Sequence, residues 1–313
     1  MIAVVGCGLW GTNILRTLSE MRVLEAICDE DSTCSSNRSQ CFQVPALTFP
    51  QILENDRIQG VVLSIPAPLH AKMALLVLSS GKHVWIEKPM ALNLQDAKNI
   101  CALADENNLQ VLVGHVIRYH GAFEKMVTLI HAQEIGEILY IDCIRNNWGR
   151  VCPWEKDALW SLGVHDISLV LSLMAQRPVK ALRYVQSCVQ GGDQGMLLLK
   201  FKNGVHARIF SSWCYPIKEQ RCVVVGSQGS LVFDDMNPDG QELRLLRHDI
   251  LKNPPFLSSQ TSLILEYDYH TLPLRRQCEA FVKAISTGTP VLTPGQEALW
   301  GIEILTTAQE IMF

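Results

Sequence analysis

The first third of the chain alternates short apolar runs with longer stretches of helical spacing, and this rhythm leaves few folds open. Ile2–Val5 is continuously apolar and reads as a buried strand, followed by helical spacing over Leu9–Glu20. Val23–Cys28, Gly60–Ile65, His83–Ile86 and Gln110–Val113 read as four further strands. Helices are predicted over His70–Ser79 and over Asn93–Asn107, with Asn93 as N-cap. Strands separated by helices of about 10–15 residues imply βαβ units, hence a doubly wound parallel sheet with right-handed crossovers.

The rhythm changes after residue 118. A helix over Ala122–Gln133, a strand over Ile138–Asn147 and a helix over Trp160–Met174 come first. Strand-like runs follow at Ala181–Val189, Met196–Phe201, Val205–Trp213, Arg221–Val225, Ser230–Phe233 and Glu242–Arg247. The turns Asn203-Gly204, Gln228-Gly229 and Asp239-Gly240 suit hairpins between them. Asp249–Ser262 reads as irregular surface, and two helices, Leu274–Ser286 and Gly295–Ile311, close the chain. The expected class is α/β: a doubly wound domain over 1–118, then an α+β domain over 119–313 with an open, mainly antiparallel sheet.

With 48% hydrophobic and 19% charged residues in 313, the chain can bury a sizeable core and is not disordered as a whole. A net charge of −4 gives no electrostatic reason to bind nucleic acid or a membrane surface. No apolar stretch reaches the roughly 18 residues of a membrane span. The start of the chain lacks the pattern of a signal peptide, so the expected compartment is the cytoplasm. The 11 cysteines contain no C-x-x-C pair and read as reduced, mostly buried thiols. Cys28, Cys34 and Cys41 fit no zinc spacing, and no metal site is expected.

Gly6-Cys7-Gly8-Leu9-Trp10-Gly11 is a G-x-G-x-x-G turn in the setting that gives the pattern meaning, after a buried strand and opening a helix. Gly6 permits the tight turn, Gly8 lets a pyrophosphate approach the backbone, and Gly11 lets helix and strand pack closely. The helix start offers free N–H groups to phosphate oxygens. Asp29 ends the second strand, where a carboxylate binds a ribose 2′-hydroxyl and repels a 2′-phosphate. NAD is therefore expected in preference to NADP. Arg38 reads as a solvated helix residue.

Two more segments end parallel strands, where doubly wound folds bind ligands. One is Ile65-Pro66-Ala67-Pro68-Leu69-His70; the other runs from His83 to Glu87-Lys88-Pro89. The ammonium form of Lys88 would be disfavoured beside an oxidised, positively charged nicotinamide, which suits this lysine to act as a base. The alternative is a surface lysine at a strand end.

These residues resemble the Gfo/Idh/MocA family of oxidoreductases. The likeness rests on the glycine turn with its Leu-Trp-Gly, the Pro66–His70 loop and Glu87-Lys88-Pro89. It continues through His115–His120, Trp160–Asp166, Pro273-Leu274-Arg275 and Gly295–Ala298. It implies a Rossmann domain joined to an α/β domain whose open sheet supports oligomers, so a homo-oligomer, dimer or tetramer, is expected. It implies Gly6, Gly8, Leu9, Trp10, Gly11, Asp29, Ile65, Pro66, His70, Glu87 and Lys88 at the cofactor, and often a cis peptide before Pro89. It implies Lys88 at the reacting hydroxyl and His165 as acid or base. Many members carry an acidic residue four positions before that histidine; here it is Ser161, placed with His165 on one helix face by the i, i+4 spacing. Ser161 can hydrogen-bond a substrate hydroxyl but supplies no charge. Asp166 is rotated about 100° from His165 and is no replacement.

Arg118 either meets cofactor or substrate or forms a structural ion pair. Arg145, Trp148 and Arg150 either hold a phosphate or carboxylate or are surface groups. His120, His131, His206, His248 and His270 read as structural or solvated, and Tyr267, Tyr269 and His270 are open candidates for covering a site. The resemblance implies an NAD-dependent dehydrogenase acting on CH–OH groups of a sugar or nucleotide-linked sugar. In that reading His165 or Lys88 takes the hydroxyl proton and the other stabilises the oxyanion. The alternatives are a catalytically impaired dinucleotide-binding sensor, motivated by Ser161, and a glycosidase using transient NAD redox chemistry.

Overall fold

The structure is a computed structural model and describes residues 1–148, 156–187, 193–248 and 261–311. The chain divides into two compact units, Met1–Val116 with Pro273–Glu303, and Ile117–Leu272 with Ile304–Phe313.

The first unit contains a five-stranded parallel sheet of order β2-β1-β3-β4-β5. Its strands are β1 (Ile2–Val5), β2 (Leu24–Cys28), β3 (Gly60–Leu63), β4 (His83–Ile86) and β5 (Val111–Val113). The helices between them are α1 (Leu9–Glu20), α2 (Ser32–Phe42), α3 (Phe49–Glu54), α4 (Ala67–Ser79) and α5 (Leu94–Glu106). β1 and β3 are buried at every position, as expected for strands covered on both faces. The predicted cap of α5 is present: the Asn93 side chain accepts the Asp96 N–H at 2.9 Å.

The second unit carries α6 (Gly121–His131), β6 (Ile138–Asn146), α7 (Val164–Met174), β7 (Lys180–Gln186), β8 (Gln194–Lys200) and β9 (His206–Ser212). It continues with β10 (Glu219–Gly226), β11 (Gly229–Asp234), β12 (Leu243–Arg247) and β13 (Thr261–Ile264). Further along the chain come α8 (Pro273–Thr287) and α9 (Gly295–Thr307), which up to Glu303 belong to the first unit, and then β14 (Gln309–Glu310) of the second. The sheet has nine strands in the order β13-β12-β11-β10-β6-β9-β8-β7-β14. All its pairs are antiparallel except β6–β9 and β14–β7, so the sheet is mixed and mainly antiparallel. Ile141, Cys143 and Arg145 alternate inward along β6 and are buried, as period-2 spacing requires.

The sequence reading and the structure differ in several places, and α3 has no counterpart in that reading. Everything after residue 118 was assigned to the second domain, yet Pro273–Glu303 belongs to the first compact unit. Phe281 of α8 packs edge-on against fully buried Trp85 of β4, with centroids 5.9 Å apart at 74°, a geometry that adds about 0.5–1.5 kcal/mol to burial. That contact joins residues almost 200 positions apart, beyond any local pattern. The predicted helix Trp160–Met174 opens as a π turn over Leu159–Gly163 before α7. The last helix stops at Thr307, and a short strand follows. Parts of the predicted strand Ala181–Val189 and of the segment Asp249–Ser262 lie outside the described residues, as does Arg150.

The nine described cysteines are all free. No helix among the described residues is long and apolar enough to cross a membrane.

Candidate active site

Strand register builds the first part of the site. Val5, Leu63, Ile86 and Val113 are aligned across β1, β3, β4 and β5. The next residues, Gly6, Ser64, Glu87 and Gly114, therefore form a row along the carboxyl edge of the sheet. β2 and β3 flank β1 on opposite sides, so the glycine turn stands at the point where the strand order reverses, the usual ligand position of such sheets.

Each glycine of the turn is there for a different reason. Gly6 has φ +93°, and a β-carbon on it would lie 2.1 Å from the Ser64 carbonyl oxygen. A β-carbon on Gly11 would lie 2.0 Å from the Gly6 carbonyl oxygen, so helix and turn pack backbone to backbone. Around Gly8 nothing lies within 4 Å of that position. Gly8 is also the N-cap of α1 and has no side chain to cap the first-turn N–H groups. Open space above free N–H groups at a helix start fits a pyrophosphate.

Asp29 is half-buried beside this turn. Its Oδ2 accepts the Cys7 N–H at 2.6 Å and its Oδ1 accepts the Asp31 N–H at 3.0 Å. Each oxygen keeps a lone pair, which suits a ribose hydroxyl. Asp31, by contrast, caps α2 by accepting from Thr33 and Cys34. Leu9 is exposed, and Trp10 is 38% exposed.

Glu87 is half-buried as a residue, but its carboxyl group is enclosed. It lies on the bare Cα of Gly114, where a β-carbon would come within 2.4 Å of Oε1. The Trp85 indole donates to Oε1 at 3.2 Å, and the Lys88 backbone N–H donates as well. Burial pushes this carboxyl up to about 7, against the opposing pull of the Trp10 indole, the Lys88 charge and the Trp85 indole.

Lys88 follows, half-buried, joined to Pro89 by the expected cis peptide. His70 is buried, with Nδ1 2.7 Å from the Pro89 oxygen and Nε2 2.8 Å from the Ile65 oxygen. It joins the loop after β3 to the loop after β4. Burial, with the Lys88 charge adding to it, pushes His70 down, while both carbonyl contacts oppose this. Ile65 is half-buried and Pro66 exposed at the start of α4.

In the second unit, His165 is half-buried in the first turn of α7, and Ser161 is buried in the π turn with its N–H donating to the Asp157 oxygen at 3.1 Å. Arg118 is buried, and its Nη1 donates to both the carbonyl and the hydroxyl of Ser168 at 3.1 Å. Arg145 grips fully buried Asp166 through Nε at 3.1 Å to both oxygens and through Nη2 at 2.9 Å. Burial pushes the Asp166 carboxyl up, and this fork opposes it. Arg145 is therefore neither the exposed surface group nor the free ligand-holding group that the sequence left open, but one half of a buried ion pair. Trp148 is 65% exposed. His120 caps α6, and Tyr267 donates from its hydroxyl to Glu242. His131, His206 and His270 are exposed, and His248 meets the Ser230 hydroxyl at 2.6 Å.

Sequence reasoning missed Ser64, Trp85 and Gly114. The signal was present: each lies on or just after a predicted strand, and aligning the strand ends puts Ser64 and Gly114 in the row.

Residues 1–115 match the family described as oxidoreductase, NAD-binding Rossmann fold, and residues 123–232 match the GFO/IDH/MocA C-terminal domain. An uncharacterized oxidoreductase of Streptococcus pneumoniae is 25% identical over 269 residues, covering 79% of this chain and 73% of that protein. UDP-N-acetylglucosamine 3-dehydrogenase GnnA from Acidithiobacillus ferrooxidans has a similar structure, with a TM-score of 0.87 at 19% identity, covering 98% of this chain and 96% of that one. GenD2 from gentamicin A biosynthesis, solved in complex with NAD, gives a TM-score of 0.82 at 22% identity, covering 98% and 92%. With matches to both domains, glycine turn and Glu-Lys-Pro segment in place, this chain belongs to the Gfo/Idh/MocA family of oxidoreductases.

Proposed function

We propose that this protein is an NAD-dependent dehydrogenase that moves a hydride between a hydroxyl-bearing carbon of a nucleotide-linked sugar and the nicotinamide ring. The observation that carries the reading is the open space at Gly8 beside the Asp29 carboxylate. A side-chain-free approach to the helix N-terminus suits the pyrophosphate, and a carboxylate with free lone pairs suits a ribose diol and disfavours a 2′-phosphate. The dinucleotide would be held by the N–H groups opening α1, by Asp29 and by the loop at Ile65 and Pro66. When bound it supplies the hydride acceptor. GnnA, which acts on UDP-N-acetylglucosamine by its name, supplies the first substrate to try.

The chain's own part is proton transfer and placement. Lys88 Nζ takes the proton of the reacting hydroxyl, and His165 is the second acid–base group. The Lys88 backbone is tied on both sides, by its N–H to Glu87 and by the Pro89 carbonyl to His70. Fixed placement matters because transfer requires reacting atoms within about 3–3.5 Å. Ser161 offers a hydroxyl to the sugar. Arg118 is left out of the reading because Ser168 holds its Nη1.

The test is NADH formation with NAD and a panel of nucleotide sugars and free sugars, starting with UDP-N-acetylglucosamine. Lys88→Ala should lower turnover by roughly two orders of magnitude or more, with NAD affinity within about threefold of the parent. Undiminished turnover in that variant, or no NADH with any sugar despite NAD binding, defeats the proposal.

A further inference from the structure

In the second unit a buried carboxylate that the proposed chemistry does not use stands at the start of the helical run carrying Ser161 and His165. It belongs to Asp157. Its Oδ1 accepts the Leu159 N–H at 2.9 Å and the Trp160 N–H at 3.1 Å. A helix start leaves such N–H groups without helical partners. The Asp157 carbonyl accepts the Ser161 N–H at 3.1 Å, so side chain and backbone together act as an N-cap. Its Oδ2 accepts Arg183 Nη2 of β7 at 2.8 Å. Arg183 in turn donates through Nη1 to the Leu305 oxygen at 3.1 Å, and its carbonyl accepts the Ile311 N–H at 2.8 Å, where β14 pairs with β7.

The same turn is seated on the sheet. A β-carbon on Gly195 of β8 would lie 2.6 Å from Leu159 Cγ, so Leu159 fills the space over that glycine. One on Gly163 would lie 3.1 Å from Ser211 Oγ of β9. Leu159, Ser161 and Gly163 are all buried. From this π turn the chain passes directly into α7, with His165 as its second residue. Single π turns within longer helices recur at functional sites.

We propose that Asp157 is a positioning residue for His165: it fixes where the helical run begins, and Arg183 fixes Asp157 to β7 and β14. The inference rests on the reading that His165 is the second acid–base group. Asp157 is buried, so it acts through the helix and not on a substrate. One residue of helix is about 1.5 Å of rise and 100° of rotation. Transfer requires reacting atoms within about 3–3.5 Å, so a start displaced by a single residue takes the imidazole out of reach. Arg183 matters because the cap oxygen and the ion-pair oxygen belong to one carboxylate, and holding the second orients the first.

Three variants of the full-length protein test this. Asp157→Ala removes the cap, Asp157→Ser returns a capping oxygen without the charge, and Arg183→Met keeps the cap but cuts its tie to β7. The His165 Cε1–H resonance, read by NMR without substrate, should shift in Asp157→Ala and by less in Arg183→Met. It should return toward its parent position in Asp157→Ser, while the exposed His131 and His206 stay unchanged throughout. With NAD and UDP-N-acetylglucosamine, Asp157→Ala should lower kcat by roughly tenfold or more, with KM for NAD within about threefold of the parent. Asp157→Ser should recover at least about threefold of that loss, and Arg183→Met should lower kcat by a smaller factor than Asp157→Ala. A merely structural role predicts a lower thermal midpoint with the His165 resonance and kcat at their parent values, and that result overturns the proposal. So does an Asp157→Ser variant no better than Asp157→Ala. If Asp157→Ala does not fold, a His165 resonance unmoved in both other variants overturns it. Absence of turnover in the parent, or undiminished turnover in His165→Ala, counts against the proposed function, and the His165 resonance still decides whether Asp157 places that ring.

Discussion

The Cys7 N–H donates to Asp29 Oδ2 at 2.6 Å, which makes the glycine turn and the carboxylate after β2 one structural piece. Asp29→Ala removes both the ribose acceptor and the brace on the turn. A hydrogen bond to a charged group contributes about 1.5–3 kcal/mol, so NAD affinity should fall roughly 10- to 100-fold. NADP should lose little, because the repulsion of its 2′-phosphate disappears as well. Calorimetric titration of both nucleotides checks this, and equal affinities in the parent protein contradict the role given to Asp29.

Gly8 and Gly11 differ by three positions and should respond in opposite ways. A methyl group at Gly8 meets open space, so Gly8→Ala should keep stability within about 1 kcal/mol and still abolish measurable NAD binding. At Gly11 the added carbon strikes the Gly6 backbone, which cannot swing aside as a side chain can. Gly11→Ala should therefore cost about 1–3 kcal/mol or more, beyond any loss of binding. Urea denaturation beside NADH fluorescence titration separates the two effects.

Arg145 and Asp166 are both buried, and each would be left as an uncompensated charge without the other. Arg145→Met or Asp166→Leu alone should lower stability by about 3–5 kcal/mol. The double change Arg145→Met with Asp166→Leu should cost clearly less than the sum of its single changes. A thermal denaturation series over the four proteins measures that non-additivity. Additive losses argue that the pair does not act as a unit.

Glu87 gives stability a pH dependence of definite sign. Its folded-state value, about 7, lies above the ordinary 4.5, so the native protein holds a proton that the unfolded chain has released between those values. The contribution is fully present below about 4.5, declines as pH rises, and is lost above about 7. Denaturation midpoints at pH 5.5 and at pH 8 should therefore differ less in Glu87→Gln than in the parent. An equal difference in the two proteins means that another group sets the slope.

Much of this was legible along the chain. The strand, turn and helix from Ile2 to Glu20 appear at the expected residues, because the turn's demands fall within a few positions of one another. Buried parallel strands are continuous apolar runs, and they too were readable. His70 and Glu87 were harder. Both lie at strand ends, yet the sequence could not show that backbone carbonyls flank the His70 ring or that the Trp85 indole meets the Glu87 carboxyl. The likeness to a family assigned these residues a place, not partners. Arg145 is a similar case. An arginine at the end of a strand suits a ligand or a buried carboxylate equally well, and only the approach of Asp166, 21 positions later, chose between them.

Local pattern thus determined the doubly wound first unit, the glycine turn and the expected carboxylate at Asp29, since φ restrictions, helix-end N–H groups and strand burial are properties of short segments. The return of Pro273–Glu303 to the first unit, the π turn ahead of His165, and the enclosure that lifts Glu87 toward neutrality were decided only by the tertiary structure. Packing and desolvation depend on groups distant in the chain that meet only when it folds, and no window of sequence contains them.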